Sequence, residues 1–228
     1  LKSIENVDKW HGHLYNWYDV KTLKPVGRKY VSAVDSGNLA ASLMLAAGAL
    51  REIGGDTAGA LARRCDAIAH GTDFTVLYDQ KRAQFHIGYD LGTGKLSSSW
   101  YDMLASEARL TSFTAMSLGQ IPVKHWFRLG RLVSDTDGGR SLMSWSGTMF
   151  EYLMPCIFTG SLRGTLLGQS CRAAVTTQKR FMHGKRPWGI SESGYYAFDK
   201  NMLYQYKAFG VPCLGLAPVK EYECVVAP

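Results

Sequence analysis

Apolar side chains recur every three or four residues in several stretches of the chain, the period of a helix that turns one face inward. Leu39, Ala40, Leu43, Ala46, Ala47 and Leu50 predict a helix over about 37–52, capped by Asp35 or Ser36 and stopped at Gly54-Gly55. Leu61, Cys65, Ile68 and Ala69 predict a second over 57–70. Tyr101, Leu104, Ala108, Thr111 and Ala115 share a face in a run from the serines at 97–99 to Gly119, and predict a third. A fourth covers about Thr165 to His183, with Leu166, Cys171, Ala174 and Phe181, and ends at Gly184. Shorter helices are expected at 3–11, after Pro122 and from Thr148. Thr75–Asp79 and Gln84–Tyr89 alternate or carry β-formers around an Asp79-Gln-Lys-Arg turn, which reads as a hairpin. Tyr204–Gly210 reads as a short strand and 135–139 as a turn. The recurring unit is a helix followed by a loop rich in Trp, Tyr and acid. The fold class is therefore mainly α, built of paired helices with a small β-hairpin and a loop-borne site. Gly92-Thr-Gly94 is too short for a phosphate-binding motif.

Composition narrows this picture. At 228 residues and 46% hydrophobic, the chain can build a sizeable core, and disorder is excluded. The net charge of +7 is scattered. Its densest group, Lys179, Arg180, Lys185 and Arg186, reads as a solvated face, so no nucleic-acid partner is expected. No run approaches the ~20 apolar residues of a membrane span, and no leader pattern opens the chain. A start at Leu1 and an apolar end suggest a segment of a longer protein. The five cysteines are odd in number, lack metal-ligand spacing and sit among apolar neighbours, as reduced core residues of a reducing compartment. His11-Gly-His13 lacks a third ligand. Neither a metal nor a cofactor is expected.

The candidate chemistry lies in carboxylates set among apolar residues. Asp102, Glu107 and Arg109 fall within the third predicted helix, Glu151 sits among Met149, Phe150, Tyr152 and Leu153, and Glu192 follows Trp188. A buried carboxylate needs a partner or a task. An ion pair at a helix start and a catalytic carboxyl both fit this spacing. Trp17, Trp100, Trp145 and Trp188 offer platforms on which sugar rings stack, and two carboxyls in unlike environments are the working pair of glycoside chemistry. The aromatic cluster His13–Asp19 suits a packed loop as well as a sugar site.

Seven motifs follow one another along the chain: His13-Leu-Tyr-Asn-Trp-Tyr-Asp19, Tyr30-Val-Ser-Ala-Val-Asp-Ser-Gly-Asn38, Tyr101-Asp-Met-Leu-Ala-Ser-Glu-Ala-Arg109, His125-Trp-Phe-Arg-Leu-Gly130, Ser144–Pro155, Pro187–Ser193 and Tyr204–Pro212. Together they closely resemble the glucoamylase-like middle domain of bacterial cyclic β-1,2-glucan synthases, and more distantly secreted endo-β-1,2-glucanases. The resemblance implies one catalytic domain over 1–228, an (α/α)6 toroid, whole or incomplete, with its site at one end of the barrel. It implies β-1,2-glucan as substrate and anomer-retaining transglycosylation that closes linear chains into rings. It further implies Glu107 as acid/base and Glu192 as nucleophile, with the pair firmer than the order. Trp17, Asp35, Asp102, Arg109, Trp145, Glu151, Trp188 and Tyr195 would bind substrate. Other domains of a larger synthase would be partners. The setting would be cytoplasmic, in a protein associated with the inner membrane, with the periplasm as the alternative. An inverting endo-β-1,2-glucanase and a non-catalytic glucan-binding module are the competing functions.

Overall fold

The computed structural model describes residues 1–160, 163–184, 187–195, 197–218 and 224–227. The chain divides into two compact units, Leu1–Asp102 with Ala108–Leu129, and Met103–Glu107 with Gly130–Pro228.

The first unit holds α1 (Lys2–Asn6), β1 (Tyr30–Ser32), α2 (Ala33–Ile53), α3 (Asp56–His70), β2 (Tyr78–Asp79), β3 (Gln84–His86), β4 (Gly88–Asp90), β5 (Lys95–Leu96), β6 (Trp100–Tyr101) and α4 (Arg109–Ser117). Two antiparallel sheets run in the orders β1-β4-β5 and β2-β3-β6. Ser32 caps α2, its hydroxyl accepting the Asp35 N–H at 3.2 Å. Gly54 and Gly55, at φ 76° and 85°, turn the chain into α3 and close a helical hairpin. Helix α2 also packs on α4. A Cβ on Gly37 would lie 2.1 Å from Thr111 Oγ1, and the Thr111 hydroxyl donates to the Ala33 carbonyl at 3.1 Å. Leu43, Ala47, Cys65, Phe74, Leu77, Phe85 and Ala115 form the core beneath these helices. His13 and His125 are buried within this unit. The His13 nitrogens meet Ser36 Oγ and the Asp73 carbonyl, both at 2.8 Å; those of His125 meet the Ala83 carbonyl at 2.7 Å and Ser112 Oγ at 2.8 Å. Burial lowers the pKa of each imidazole.

The second unit holds β7 (Val133–Thr136), β8 (Gly139–Leu142), α5 (Met149–Leu153), α6 (Cys156–Thr159), α7 (Leu166–Met182), β9 (Glu192–Gly194) and β10 (Tyr206–Ala208). Thr165 caps α7, its hydroxyl accepting the Gly168 N–H at 3.1 Å. The buried Gln178 of α7 clamps the chain ahead of β9. Its amide nitrogen donates to the Ile190 carbonyl at 2.7 Å, and its oxygen accepts the Gly189 and Ile190 N–H groups at 3.1 and 2.8 Å. Segment 144–147 is packed backbone against backbone. A Cβ on Gly210 would lie 1.8 Å from the Ser146 carbonyl oxygen, and one on Gly215 2.6 Å from the Ser146 carbonyl carbon. These contacts require glycine at both positions.

Several expectations are corrected. The run 97–119 is not one helix. Trp100 and Tyr101 pair with His86 and Phe85 of β3, and the Leu104 N–H donates to the Gly130 carbonyl at 3.0 Å, so helix begins only at Arg109. Tyr101, Leu104 and Ala108 therefore share no helix face. The first helix is Lys2–Asn6 rather than 3–11, and Asp35 and Ser36 lie inside α2 rather than capping it. Phe74–Leu77 is a 3-10 turn, so the hairpin is the short β2–β3 pair. By length and composition α2 meets the requirement of a membrane span, which the sequence reading had not credited; eight of its residues are buried in the first unit. Among the described residues there are seven α-helices, three of them only four or five residues long. That is too few for six helix pairs, and four small sheets stand beside them. Of the basic group near the end of α7, Lys185 and Arg186 lie outside the described residues.

Candidate active site

Glu107, Glu151 and Glu192 all belong to the second unit. Glu107 lies in the turn that precedes α4, and its carboxyl accepts the Ser106 hydroxyl at 3.1 Å. Glu192 opens β9 rather than lying on a loop, as expected from the sequence. Strands β9 and β10 pair antiparallel with Gly194 opposite Tyr206 and Glu192 opposite Ala208. This register sets Tyr206 diagonally across from Glu192 on one face. The Tyr206 hydroxyl donates to Glu192 Oε2 at 2.9 Å. Thr148 Oγ1 reaches Glu192 Oε1 at 3.1 Å.

Thr148 is the N-cap of α5, and Thr148 with Glu151 forms a capping box. Its hydroxyl accepts the Glu151 N–H at 3.1 Å. The Glu151 carboxyl is 4% exposed and accepts the Thr148 N–H at 2.9 Å, the Ser144 hydroxyl at 2.9 Å and the Ser146 N–H at 3.0 Å. Glu151 is thereby a fixed, buried carboxylate directed into the protein. Thr148 Oγ1 touches both Glu151, at 3.2 Å, and Glu192, and so links the two.

Burial first, and then the nearby charges of Glu151 and Glu192, push the Glu107 carboxyl up to about 7. Burial also raises Glu192, with Glu151 adding to the rise, while the hydrogen bonds from Tyr206 and Thr148 oppose it. The Tyr206 phenol is pushed above its ordinary range by desolvation of its hydroxyl and by the adjacent Glu192 charge. One carboxyl thus keeps its proton to near neutrality, and in another two hydrogen-bond donors oppose the rise that burial causes. Such a pair can give a proton to one atom and present a carboxylate to another.

The remaining candidate residues divide between the units. Trp145, Trp188 and Tyr195 lie in the second unit with the three glutamates. Trp145 is 61% exposed and Trp188 43%. Lys179 stands over the Trp188 ring at 4.8 Å, and Lys207 over Tyr195 at 5.3 Å. Trp17, Asp35, Asp102 and Arg109 lie in the first unit. Asp35 and Asp102 are exposed, Arg109 is buried at the start of α4, and Trp17 lines an open groove of about 780 Å³. Trp17 is 59% exposed, so it is not the core residue that its aromatic surroundings allowed. Two site residues escaped sequence reasoning. Thr148 was legible as the first residue of a Thr-x-x-Glu capping box. Tyr206 carried no such signal, because its partner strand lies across a long connection.

No family model matches the chain. Among curated proteins it is similar to cyclic β-(1,2)-glucan synthase NdvB of Rhizobium meliloti (strain 1021), at 28% identity over the whole chain. The chain is homologous to that synthase. It spans only 12% of the synthase's length. The alignment runs over 355 positions against 228 residues here, so the synthase carries internal insertions that this chain lacks. Among solved structures the fold is similar to an endo-β-1,2-glucanase from Chitinophaga pinensis in complex with sophorotriose and glucose. That match has a TM-score of 0.69 at 14% identity, and covers 94% of this chain and 57% of the glucanase.

Proposed function

We propose that residues 1–228 form the catalytic domain of a longer protein and act on β-1,2-glucan as an anomer-retaining transglycosylase. Homology to a cyclic β-(1,2)-glucan synthase supports the substrate, and the fold likeness to an endo-β-1,2-glucanase agrees with it. The observation that carries the reading is Glu107, raised to about 7 and electrostatically coupled to Glu192, whose two oxygens each receive a donor. In the first step Glu107 gives its proton to the glycosidic oxygen as that bond breaks, and Glu192 attacks the anomeric carbon to form a glycosyl ester. In the second, Glu107 takes the proton of an incoming sugar hydroxyl. The hydroxyl oxygen bonds the anomeric carbon, and the ester's electron pair returns to Glu192. When that hydroxyl belongs to the far end of the same chain, the product is a ring.

Trp145, Trp188 and Tyr195 supply stacking surfaces on the second unit, and Trp17, Asp35, Asp102 and Arg109 are glucan-binding candidates on the first. Glu151 acts on the reaction through its charge, which raises both working carboxyls. Its surroundings are other domains of a synthase at the inner membrane. The test is incubation with linear β-1,2-glucan and mass analysis of the products. Rings are lighter by one water than linear chains of equal unit number. Ring formation that vanishes in E107Q and E192Q is expected. Shorter linear chains with inverted anomers would make the domain an endo-glucanase instead, and unchanged product formation in E107Q would remove Glu107 from the chemistry.

A further inference from the structure

Tyr206 has no part in the scheme above, yet its hydroxyl is directed at one of the two carboxyls that perform it. It projects from β10 onto the face of the β9–β10 ribbon that carries Glu192. The neighbouring Lys207 pairs with Ser193 and projects to the opposite face, so the phenol, not an ammonium, meets the carboxylate. On the same face of the ribbon, the Tyr204 ring lies against Gly194, where an added Cβ would meet the Tyr204 hydroxyl. A side chain at 194 would displace the Tyr204 ring. The Tyr206 ring is 53% exposed while its hydroxyl is engaged, as expected of a residue at the rim of a site rather than in a core.

We propose that Tyr206 is a positioning residue for Glu192: its hydroxyl holds Oε2 while Thr148 holds Oε1, fixing the plane of the carboxylate and favouring its charged form. This rests on the assignment of Glu192 as nucleophile. The same hydrogen bond assists both steps. It orients the attacking carboxylate and then stabilises it as it leaves the glycosyl ester. Among the described residues, the ionisable groups that act on Glu192 are Glu107 and Glu151, which oppose its charge, and Tyr206, which supports it.

The test is Y206F, which keeps the ring and removes the donor. Glutamate side chains labelled with ¹³C at the carboxyl are titrated by NMR in the full chain, and the Glu192 signal is identified by its absence in E192Q. Losing a donor to the charged form raises the midpoint, and the expected rise in Y206F is about one unit, a tenfold change in the ionisation constant. On linear β-1,2-glucan, kcat falls about tenfold or more with KM little changed, and the acidic limb of the rate profile moves to higher pH. An unmoved Glu192 midpoint overturns the proposal whatever the activity. A shifted midpoint in a protein whose wild type makes no product from the glucan overturns the functional reading and leaves Tyr206 as the residue that holds Glu192.

Discussion

At the scale of single residues, the carboxyl at 107 sets function against stability. Its value of about 7, against 4.5 in an exposed glutamate, means that the folded protein keeps a proton that the unfolded chain releases. Stability from this group is complete below about pH 4.5 and is lost as pH rises through about 7, at a cost of about 3 kcal/mol above that window. E107Q keeps the shape and removes the titration. Its melting temperature should exceed that of the wild type at pH 8 and match it at pH 4, while glucan processing is abolished. Equal melting temperatures at both pH values would mean that the burial of Glu107 carries no such cost. The carboxyls themselves were legible before the fold, Glu107 and Glu151 because they stand in apolar runs and Glu192 because it lies in a motif of the resemblance. Their division of labour was not. Nothing in the spacing distinguishes Glu151, saturated by the donors of its own cap, from Glu192, which receives its donors from Thr148 and from another strand.

At the scale of elements, two contacts govern how well the parts hold. Gly37 lets α2 and α4 approach so closely that a methyl group at 37 meets Thr111. Gly37→Ala should lower the stability of the fold by about 1–3 kcal/mol, measured by denaturant titration, because the helices must separate to admit it. A neutral result would show that Thr111 turns aside without cost. In the second unit the capping hydroxyl of Thr148 serves the helix and the site together. Thr148→Ala should cost about 1 kcal/mol of stability through the lost cap, and should also reduce glucan turnover. Thr148→Ser, which keeps the hydroxyl, should restore both. Restored stability without restored turnover would separate the cap from the link to Glu192. Elements were read correctly where local signals act alone: α3, α7 and the turn between β7 and β8 lie within a residue or two of their expected places. The reading failed at 97–108, where good capping serines precede helix-period residues. There the partners of Trp100, Tyr101 and Leu104 come from β3 and Gly130, residues distant in sequence. Pairing across such distances overrides local propensity and leaves no trace in a sequence window.

At the scale of the whole molecule, the two units should answer pH in opposite directions. The first buries His13 and His125, whose pKa values are lowered, so each binds its proton less readily folded than unfolded. Protonation of the unfolded form therefore draws this unit open as pH falls below about 6.5. The second holds Glu107 and Glu192, both raised, so its stability declines instead as pH rises from about 4.5. Amide hydrogen exchange, corrected for intrinsic rates, can follow both at once. Between pH 7 and pH 5, protection across α2 and α3 should fall while protection across α7 should rise. A common change in both would mean that neither set of buried groups governs its own unit. The opposite slopes also bear on the proposed function, since the carboxyl proposed as the proton donor destabilises the unit that must position it. That unit answers with contacts that do not titrate: the glycines packed on segment 144–147, the side-chain amide of Gln178 and the Thr148 hydroxyl on the Glu151 N–H. Glycine and amide contacts keep their strength across the pH range in which Glu107 works, so the geometry around the carboxyls can persist while their charges change.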